Sequence, residues 1–131
     1  PPAGVTKFDG NFEYSNFDVV TFFDSLEHVP VKDITDYLRR FNTKCFIISV
    51  PWFQYNETDK WFKEWKHRRP NEHLHFFDVF GLTKILQELG YKIVHISNLE
   101  DSIRPSQDDH PNILTVVALK KEEQDDRNYN I

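Results

Sequence analysis

The segment Phe17–Val29, which reads FDVVTFFDSLEHV, decides how the rest of the chain is interpreted. Its first seven residues, Phe17–Phe23, are mostly aromatic or β-branched, which is typical of a strand buried on both faces of a sheet. Polar and acidic residues follow at once, and Pro30 suits the first turn of a helix because its φ is already fixed. The segment therefore predicts a buried strand with polar residues just beyond its carboxyl end.

Strand and helix patterns alternate after this first strand. Continuous apolar runs predict further strands at residues 44–50, 91–96 and 113–119. Helical periodicity predicts helices at residues 30–42, 56–69 and 78–90, the last with Asp78 as its N-cap and Gly90 as its stop. Strands separated by helices pair in parallel through right-handed crossovers, whereas the last two strands, joined without a helix, run antiparallel. The order β-α-β-α-α-β-β therefore predicts an α/β sheet.

The composition restricts the class of protein. A length of 131 residues with 39% hydrophobic residues suits one domain and excludes a wholly disordered chain. One Cys excludes a disulfide framework, and the net charge of −5 gives no general attraction to nucleic acid or anionic membranes. No apolar run approaches the ~20 residues of a membrane span, so we expect no membrane partner and a reducing, cytoplasmic setting. We expect the folded part at residues 1–121 and a polar, disordered tail at 122–131.

Four pieces of this sequence occur in the order found in a known family. They are Phe17–Val20 with Asp24–Val29, then Ile48–Pro51, Glu72–Phe77 and Leu86–Tyr91 (FDVV with DSLEHV, ISVP, EHLHFF, LQELGY). Over residues 15–120 they resemble the class I S-adenosylmethionine-dependent methyltransferases, from the fourth strand of that fold onward. The resemblance implies a partial Rossmann-like methyltransferase sheet with helices on both faces. It also implies that the last strand lies antiparallel between the second and third strands of this chain.

The resemblance has a clear gap. The glycine-rich turn after the first strand of such proteins, and the acidic residue after their second, have no counterpart here. The chain has no Met and opens with Pro1-Pro2-Ala3-Gly4, so we expect it to be the C-terminal half of a methyltransferase-like domain. The implied function is methyl transfer from S-adenosylmethionine to an unidentified acceptor, with the half domain alone inactive. The alternative is a non-catalytic methyltransferase-like binding module.

The polar residues beyond the first strand are the candidates for catalysis. Ligands of open α/β sheets lie outside the carboxyl ends of the strands, and Asp24, Glu27 and His28 follow one such end. We predict His28 as a general base, oriented by Glu27 or Asp24. Trp52 and Phe53 follow the next strand and would bind the acceptor in the same crevice. The structural alternative is that Glu27 caps the following helix and His28 is partly buried.

Two further sites follow from the resemblance. Phe22 and Phe23 end the first strand, and one of them is expected to face the cofactor, while the alternative places at least one of them in the sheet core. Some methyltransferases bind a divalent ion with an acidic residue, an EH pair and a distant His, and this sequence is similar there. The residues of this alternative metal site would be Asp24, Glu27, His28, His73 and His75.

The five residues of that metal set fall into two groups by their spacing. The first three would share one face of a helical turn, and the two later histidines would share one side of an extended segment. A mixed carboxylate and imidazole set would suit manganese, iron or zinc better than calcium. We favour no metal, with His73 and His75 as structural hydrogen-bonding residues.

Residues 60–69 interleave basic and aromatic side chains. Such a pattern can hold a phosphate backbone or stack a base, but it is also typical of an amphipathic helix with one solvated face. We favour a third interpretation, a lid that carries substrate specificity, in which Trp61 and Trp65, together with His73, contact the acceptor. A small-molecule or sugar acceptor is expected, with nucleic acid as the alternative.

The strand Phe17–Phe23 also carries an expectation about partners. It contains neither Lys nor Pro, which commonly protect an exposed sheet edge. In the family fold this strand pairs with the first strand of the half that is missing here, and residues 1–14 offer only Val5–Phe8 as a replacement. We therefore expect the strand to bind the missing half or to self-associate.

Overall fold

The computed structural model describes residues 3, 16–54, 57–69, 72–106 and 108–122 of the chain. The strands are β1 (Asn16–Phe23), β2 (Asn42–Pro51), β3 (Tyr91–Ser97) and β4 (Ile113–Lys120). The α-helices are α1 (Ile34–Arg39), α2 (Asp59–Glu64) and α3 (Val79–Glu88). Short 3₁₀ helices span Leu26–His28 and Leu99–Ser102. Every strand predicted from the sequence is present, with its ends shifted by two residues or fewer.

The strands form one sheet, in the order β1-β2-β4-β3, within the part of the chain that the structure describes. β1 pairs with β2 in parallel, and β4 pairs antiparallel with both β2 and β3. This confirms the partial Rossmann-like sheet and the prediction that the last strand enters it antiparallel between the second and third. The connection from β3 to β4 contains no α-helix to return the chain for parallel pairing, so the chain turns back on itself.

The core lies between one face of this sheet and the helices α1 and α3. Phe46, Ile48 and Val50 alternate along β2, point to this face and are fully buried. The helices contribute apolar residues spaced four apart, which lie on one side of each helix. These residues are Ile34 and Leu38 from α1, and Leu82 and Leu86 from α3. The sequence predicted helices on both faces of the sheet. Among the described residues, α1 and α3 both pack on the same face.

The helices begin where a side chain can cap them. Each N-cap side chain accepts a hydrogen bond from the backbone N–H three residues later, which has no partner within the helix. The caps of α1, α2 and α3 are Asp33, Thr58 and Asp78. α1 therefore begins at Ile34 rather than at Pro30, and α2 is shorter than the predicted 56–69. α3 agrees with its prediction, and Gly90 after it has a left-handed φ of 92°.

β1 lies at one edge of the sheet as the structure describes it. Val19 and Phe23 on one face of β1 are 48% and 56% exposed, whereas Phe22 on the other face is 7% exposed. An exposed apolar edge agrees with the sequence, but its pairing partner stays a prediction, as do the domain boundaries. The segment Val5–Phe8 and the tail from residue 123 lie outside the described residues.

Candidate active site

The turn after β1 separates Asp24 from the 3₁₀ helix Leu26–His28. Asp24 has a left-handed φ of 54°, a conformation that costs an L-residue roughly 1–2 kcal/mol. Its N–H donates to the carbonyl oxygen of Ser49 at 3.1 Å, and its carboxylate accepts from Arg104 at 2.6 Å. Because the helical turn begins only at Leu26, the helical face expected to join Asp24 to the two residues that follow the turn does not form.

Glu27 is a buried acid whose carboxyl group lacks a hydrogen-bonding partner. The residue is 1% exposed, and neither carboxyl oxygen has a hydrogen-bonding partner among the described residues. Burial and, to a smaller extent, the negative charge of Asp24 together raise the pKa of Glu27 to about 7, with Arg104 among the groups that oppose the change. Glu27 does not cap a helix, and a carboxyl group that titrates near neutral pH is typical of acid–base residues.

His28 lies beside this carboxyl group. Its Nδ1 donates to the carbonyl oxygen of Glu72 at 2.5 Å, and a carbonyl oxygen can only accept, so the proton of the neutral ring is on Nδ1. The lone pair is therefore on Nε2, which lies 3.9 Å from Oε1 of Glu27. The His28 side chain is 41% exposed, so a ligand can reach the ring. The structure brings the predicted base and one predicted orienting residue together.

An extended segment between α2 and α3 joins the carboxyl ends of β1 and β2. The carbonyl oxygen of Glu27 accepts from the N–H of His75 at 3.2 Å and from that of the preceding residue at 2.8 Å. Further along, the carbonyl oxygen of Phe77 accepts from the N–H of Phe53 at 2.9 Å, and Trp52 forms a β-bridge with Phe77. The two strand ends predicted to share a crevice are therefore held to one common segment.

The two histidines of this segment are each held by a carbonyl oxygen. Nδ1 of His73 donates to His67 at 2.5 Å, and Nε2 of His75 donates to Val29 at 2.8 Å. The His73 ring is buried, which lowers its pKa, and lies edge to face with the His28 ring at 4.6 Å between centroids. Across the described ranges, no group of three or more His, Cys, Asp or Glu residues could hold a metal ion. The possible metal ligands named from the sequence therefore do not form a metal site among these residues.

Three residues that the sequence analysis did not single out surround this site. Nε2 of His67 donates to Oδ1 of Asn112 at 2.7 Å, and Nδ2 of Asn112 donates to the carbonyl oxygen of Arg104 at 2.7 Å. Arg104 then binds the Asp24 carboxylate. The signal that could have identified Arg104 and Asn112 is the length of the connection between β3 and β4, because long loops in compact domains are often functional.

Three of the four predicted acceptor-binding aromatic residues form one cluster around Phe53, whereas Trp52 packs against the hydrophobic core instead. The Phe53 ring lies 6.3 Å from Trp61 and 5.9 Å from Trp65, and the two Trp rings stack at 5.1 Å. Phe62 and Phe76 complete the cluster, each at 5.9 Å from Phe53. The rings pack the α2 segment onto the carboxyl end of β2, which is the position predicted for a lid.

Phe22 and Phe23, the predicted cofactor-contacting residues, point to opposite faces of the sheet. The Phe22 ring packs against Phe46 in the core at 6.4 Å, whereas Phe23 is 56% exposed. A nucleoside that carries a sulfonium requires an apolar surface and nearby negative charge. Phe23 supplies the first, and the partly exposed carboxylate of Asp24, which is paired with Arg104, supplies the second. The described residues therefore fit one side of an S-adenosylmethionine site.

Comparison with known proteins agrees with the resemblance seen in the sequence. Residues 3–96 match the model of a family described as a methyltransferase domain, and the chain belongs to this family. The chain is also similar to a crystal structure from Listeria monocytogenes described as a "putative S-adenosylmethionine dependent methyltransferase". The TM-score is 0.54 at 19% sequence identity, a level at which the likeness supports the fold alone. No curated protein matches the chain.

The chain corresponds to only part of the similar Listeria protein. The Listeria match covers 87% of this chain but 66% of the other chain, so this chain spans just under two thirds of its length. The family assignment confirms the class I methyltransferase family predicted from the sequence. Within the described residues, no helix is long and apolar enough to cross a membrane.

Proposed function

We propose that the protein containing this chain transfers a methyl group from S-adenosylmethionine to an acceptor, with His28 accepting the proton that the acceptor loses. The observation that carries this proposal is the buried, unpartnered carboxyl group of Glu27 beside the lone pair of His28. This arrangement does not stabilise the protein, because a buried carboxyl group without hydrogen bonds destabilises the fold.

The cofactor supplies an already activated methyl group when it is bound. The residues of this chain must then orient the acceptor and remove its proton. Nε2 of His28 takes the proton, and the Nδ1–H bond to Glu72 keeps the ring in place while it becomes positively charged. The charged ring 3.9 Å away favours ionisation of Glu27, and the resulting carboxylate stabilises the imidazolium.

The acceptor side of the site is proposed to consist of the aromatic cluster around Phe53 and the His73 ring beside His28. A small molecule or a sugar suits the crevice at the strand ends, and nucleic acid is the alternative because of the basic residues along α2. The cytoplasmic setting is part of the same proposal and is supported by the single Cys, which excludes a disulfide framework.

The substitution His28→Ala tests the proposal. In the longer protein we expect turnover to fall about 100-fold, which is typical of the loss of a general base, while cofactor affinity changes little. The assay measures transfer of labelled methyl groups to a panel of hydroxyl, amine and carboxyl acceptors, and calorimetry measures cofactor binding. Addition of a chelator distinguishes a general base from a metal ligand at His28, because only a metal site should respond to it.

A matched control is His95→Ala. His95 lies on β3, is exposed, and contacts Ser97 rather than the site. This variant should retain the original turnover. If His28→Ala retains it as well while the protein stays folded, His28 is a structural residue and the proposed mechanism is wrong.

The second candidate function is a binding module that never transfers a methyl group. It would be favoured if the sequence that precedes this chain in the longer protein also lacks a glycine-rich cofactor turn. The 131-residue chain alone should bind S-adenosylmethionine weakly or not at all under both proposals. Calorimetry on the longer protein separates them, since an enzyme must bind the cofactor and the binding module need not.

A further inference from the structure

A cavity of about 160 Å³ lies between α2 and the loop before β4. A cavity of roughly this size, about 150 Å³, can hold benzene. The cavity is not lined by Glu27 or His28, so it is distinct from the proposed proton-accepting pair. It is lined by aromatic, acidic and other polar side chains, and it shares Trp61 and Trp65 with the proposed acceptor-binding cluster.

Two indole rings form the aromatic part of the lining. Trp61 and Trp65 both line the cavity, and they stack with 5.1 Å between ring centroids. Their position is fixed, because Nε1 of Trp61 donates to Oδ2 of Asp108 at 3.0 Å. Indole rings are the aromatic groups that attract cations most strongly.

Two carboxylates add negative charge to the same cavity. Glu64 lines it and has no hydrogen bond or ion pair within the described ranges. Asp108 is held by three donors: the backbone N–H of His110, the Trp61 indole and the Ser106 hydroxyl. Burial is the largest single effect and raises the pKa of Asp108, but the three donors and the nearby His110 together outweigh it and lower the pKa, so Asp108 is ionised at neutral pH.

The basic groups at the cavity cancel only part of this charge. Lys66 lines it, and its ammonium group, which donates to the carbonyl oxygen of Pro105 at 3.2 Å, offsets one of the two carboxylates. The His110 ring also lines it and lies 2.9 Å from the carboxylate of Glu57, which offsets any positive charge on the ring. The cavity therefore joins two indole rings to an excess of negative charge.

We propose that this cavity binds a small organic cation, of the alkylammonium class. The indole rings contact the apolar groups around the positive nitrogen, and Glu64 supplies the opposite charge. The walls are already in place before binding, because α2 and the loop are joined by the bond from Trp61 to Asp108 and that from His67 to Asn112.

Tetramethylammonium tests the proposal without any measurement of methyl transfer. The ¹⁵N-labelled protein is titrated at constant ionic strength, and the three indole N–H signals are followed by NMR. Trp52 does not line the cavity and serves as the internal reference. We expect saturable shifts of the Trp61 and Trp65 signals, no shift of the Trp52 signal, and no comparable response to tert-butanol, a neutral molecule of similar shape.

The substitution Glu64→Gln should weaken tetramethylammonium binding about threefold, as expected for the loss of one partly exposed charge. The matched control Glu88→Gln, on the exposed side of α3, should leave the affinity unchanged. Equal responses to tert-butanol and tetramethylammonium, shifts that do not saturate, or equal affinities of the two variants would each overturn the proposal. These outcomes leave the proposed role of His28 unaffected, because they do not involve it.

Discussion

β1 and β2 have similar sequences but opposite surroundings. Both are apolar runs that predict a strand buried on two faces, and they pair with each other in parallel. β2 has a strand on each side, and its Phe46 is fully buried. β1 has a neighbour on one side only among the described residues, and its Phe23 is 56% exposed. An apolar pattern therefore indicates that a strand needs neighbouring elements to bury it. It does not indicate that those elements are present.

The difference matters because the candidate catalytic residues follow the less covered strand. Asp24, Glu27 and His28 come directly after β1, and the buried strand fixes their turn through the bond from Asp24 to Ser49. β2 thus fixes the position of this turn, while the candidate catalytic residues lie at an incompletely covered border of the sheet.

The largest expected effect comes from one substitution made in each strand. Phe46→Ala should cost about 3–5 kcal/mol of unfolding free energy, as for other buried Phe residues. Phe23→Ala removes the same atoms from an exposed position and should cost less than about 1 kcal/mol. Urea denaturation measures both. Equal losses would show that Phe23 is covered in the folded protein and that the two strands do not differ.

The second effect concerns the buried carboxyl group after β1. The pKa of Glu27 is about 7 in the folded state and 4.5 in the reference state, so folding favours the protonated form. The stability that this group supplies is complete below pH 4.5 and is lost as the pH rises through 7. Glu27→Gln removes this loss, so at pH 8 the variant should be more stable than the original protein by about 2–3 kcal/mol.

Denaturation at pH 4.5 and at pH 8 tests this prediction. At the lower pH the two proteins should be nearly equal in stability, because Gln resembles the protonated acid. Glu88→Gln on the surface of α3 serves as the control and should show no such dependence. A stability difference that is the same at both pH values would contradict the raised pKa.

The third effect concerns the edge of β1. We expect the isolated 131-residue chain to associate through this strand, and Val19→Lys should weaken the association several-fold by placing a charge on its exposed face. Val94→Lys is the matched control, since Val94 is 47% exposed on β3 compared with 48% for Val19. Light scattering measures the mass. If the unmodified chain is a monomer that unfolds cooperatively, β1 is not an unpaired edge strand that drives association.

The smallest effect comes from the ion pair between Asp24 and Arg104. Each side chain is partly exposed, so Asp24→Asn or Arg104→Gln should cost less than about 1 kcal/mol. The pKa of Glu27 separates the two variants: it should fall when the negative charge of Asp24 is removed and rise when the positive charge of Arg104 is removed. If both variants shift the pKa of Glu27 in the same direction, the charges of Asp24 and Arg104 do not act on Glu27 in opposite ways.

The sequence was sufficient for features that depend on local pattern. The strands, the cap at Asp78 and the stop at Gly90 follow from side-chain chemistry and backbone preference within a few residues. The antiparallel position of β4 followed from the family resemblance, and the missing helix before it agreed.

Features that depend on distant contacts could not be predicted in this way. Glu27 is unusual only because the folded chain buries it without a hydrogen-bonding partner, and Arg104 reaches Asp24 from the loop between β3 and β4. The left-handed turn at Asp24 also broke the helical spacing on which the metal interpretation depended. Neither the burial nor the turn leaves a signal in the residues themselves.

The most direct test of the account is a carboxyl ¹³C NMR titration of Glu27, assigned by comparison with the Glu27→Gln variant, with the His28 ring nitrogens followed in parallel. We predict that Glu27 titrates near pH 7 and that the neutral His28 ring carries its proton on Nδ1. A Glu27 carboxyl group that titrates near 4.5, or a neutral His28 ring protonated on Nε2, would contradict the proposed proton-accepting pair.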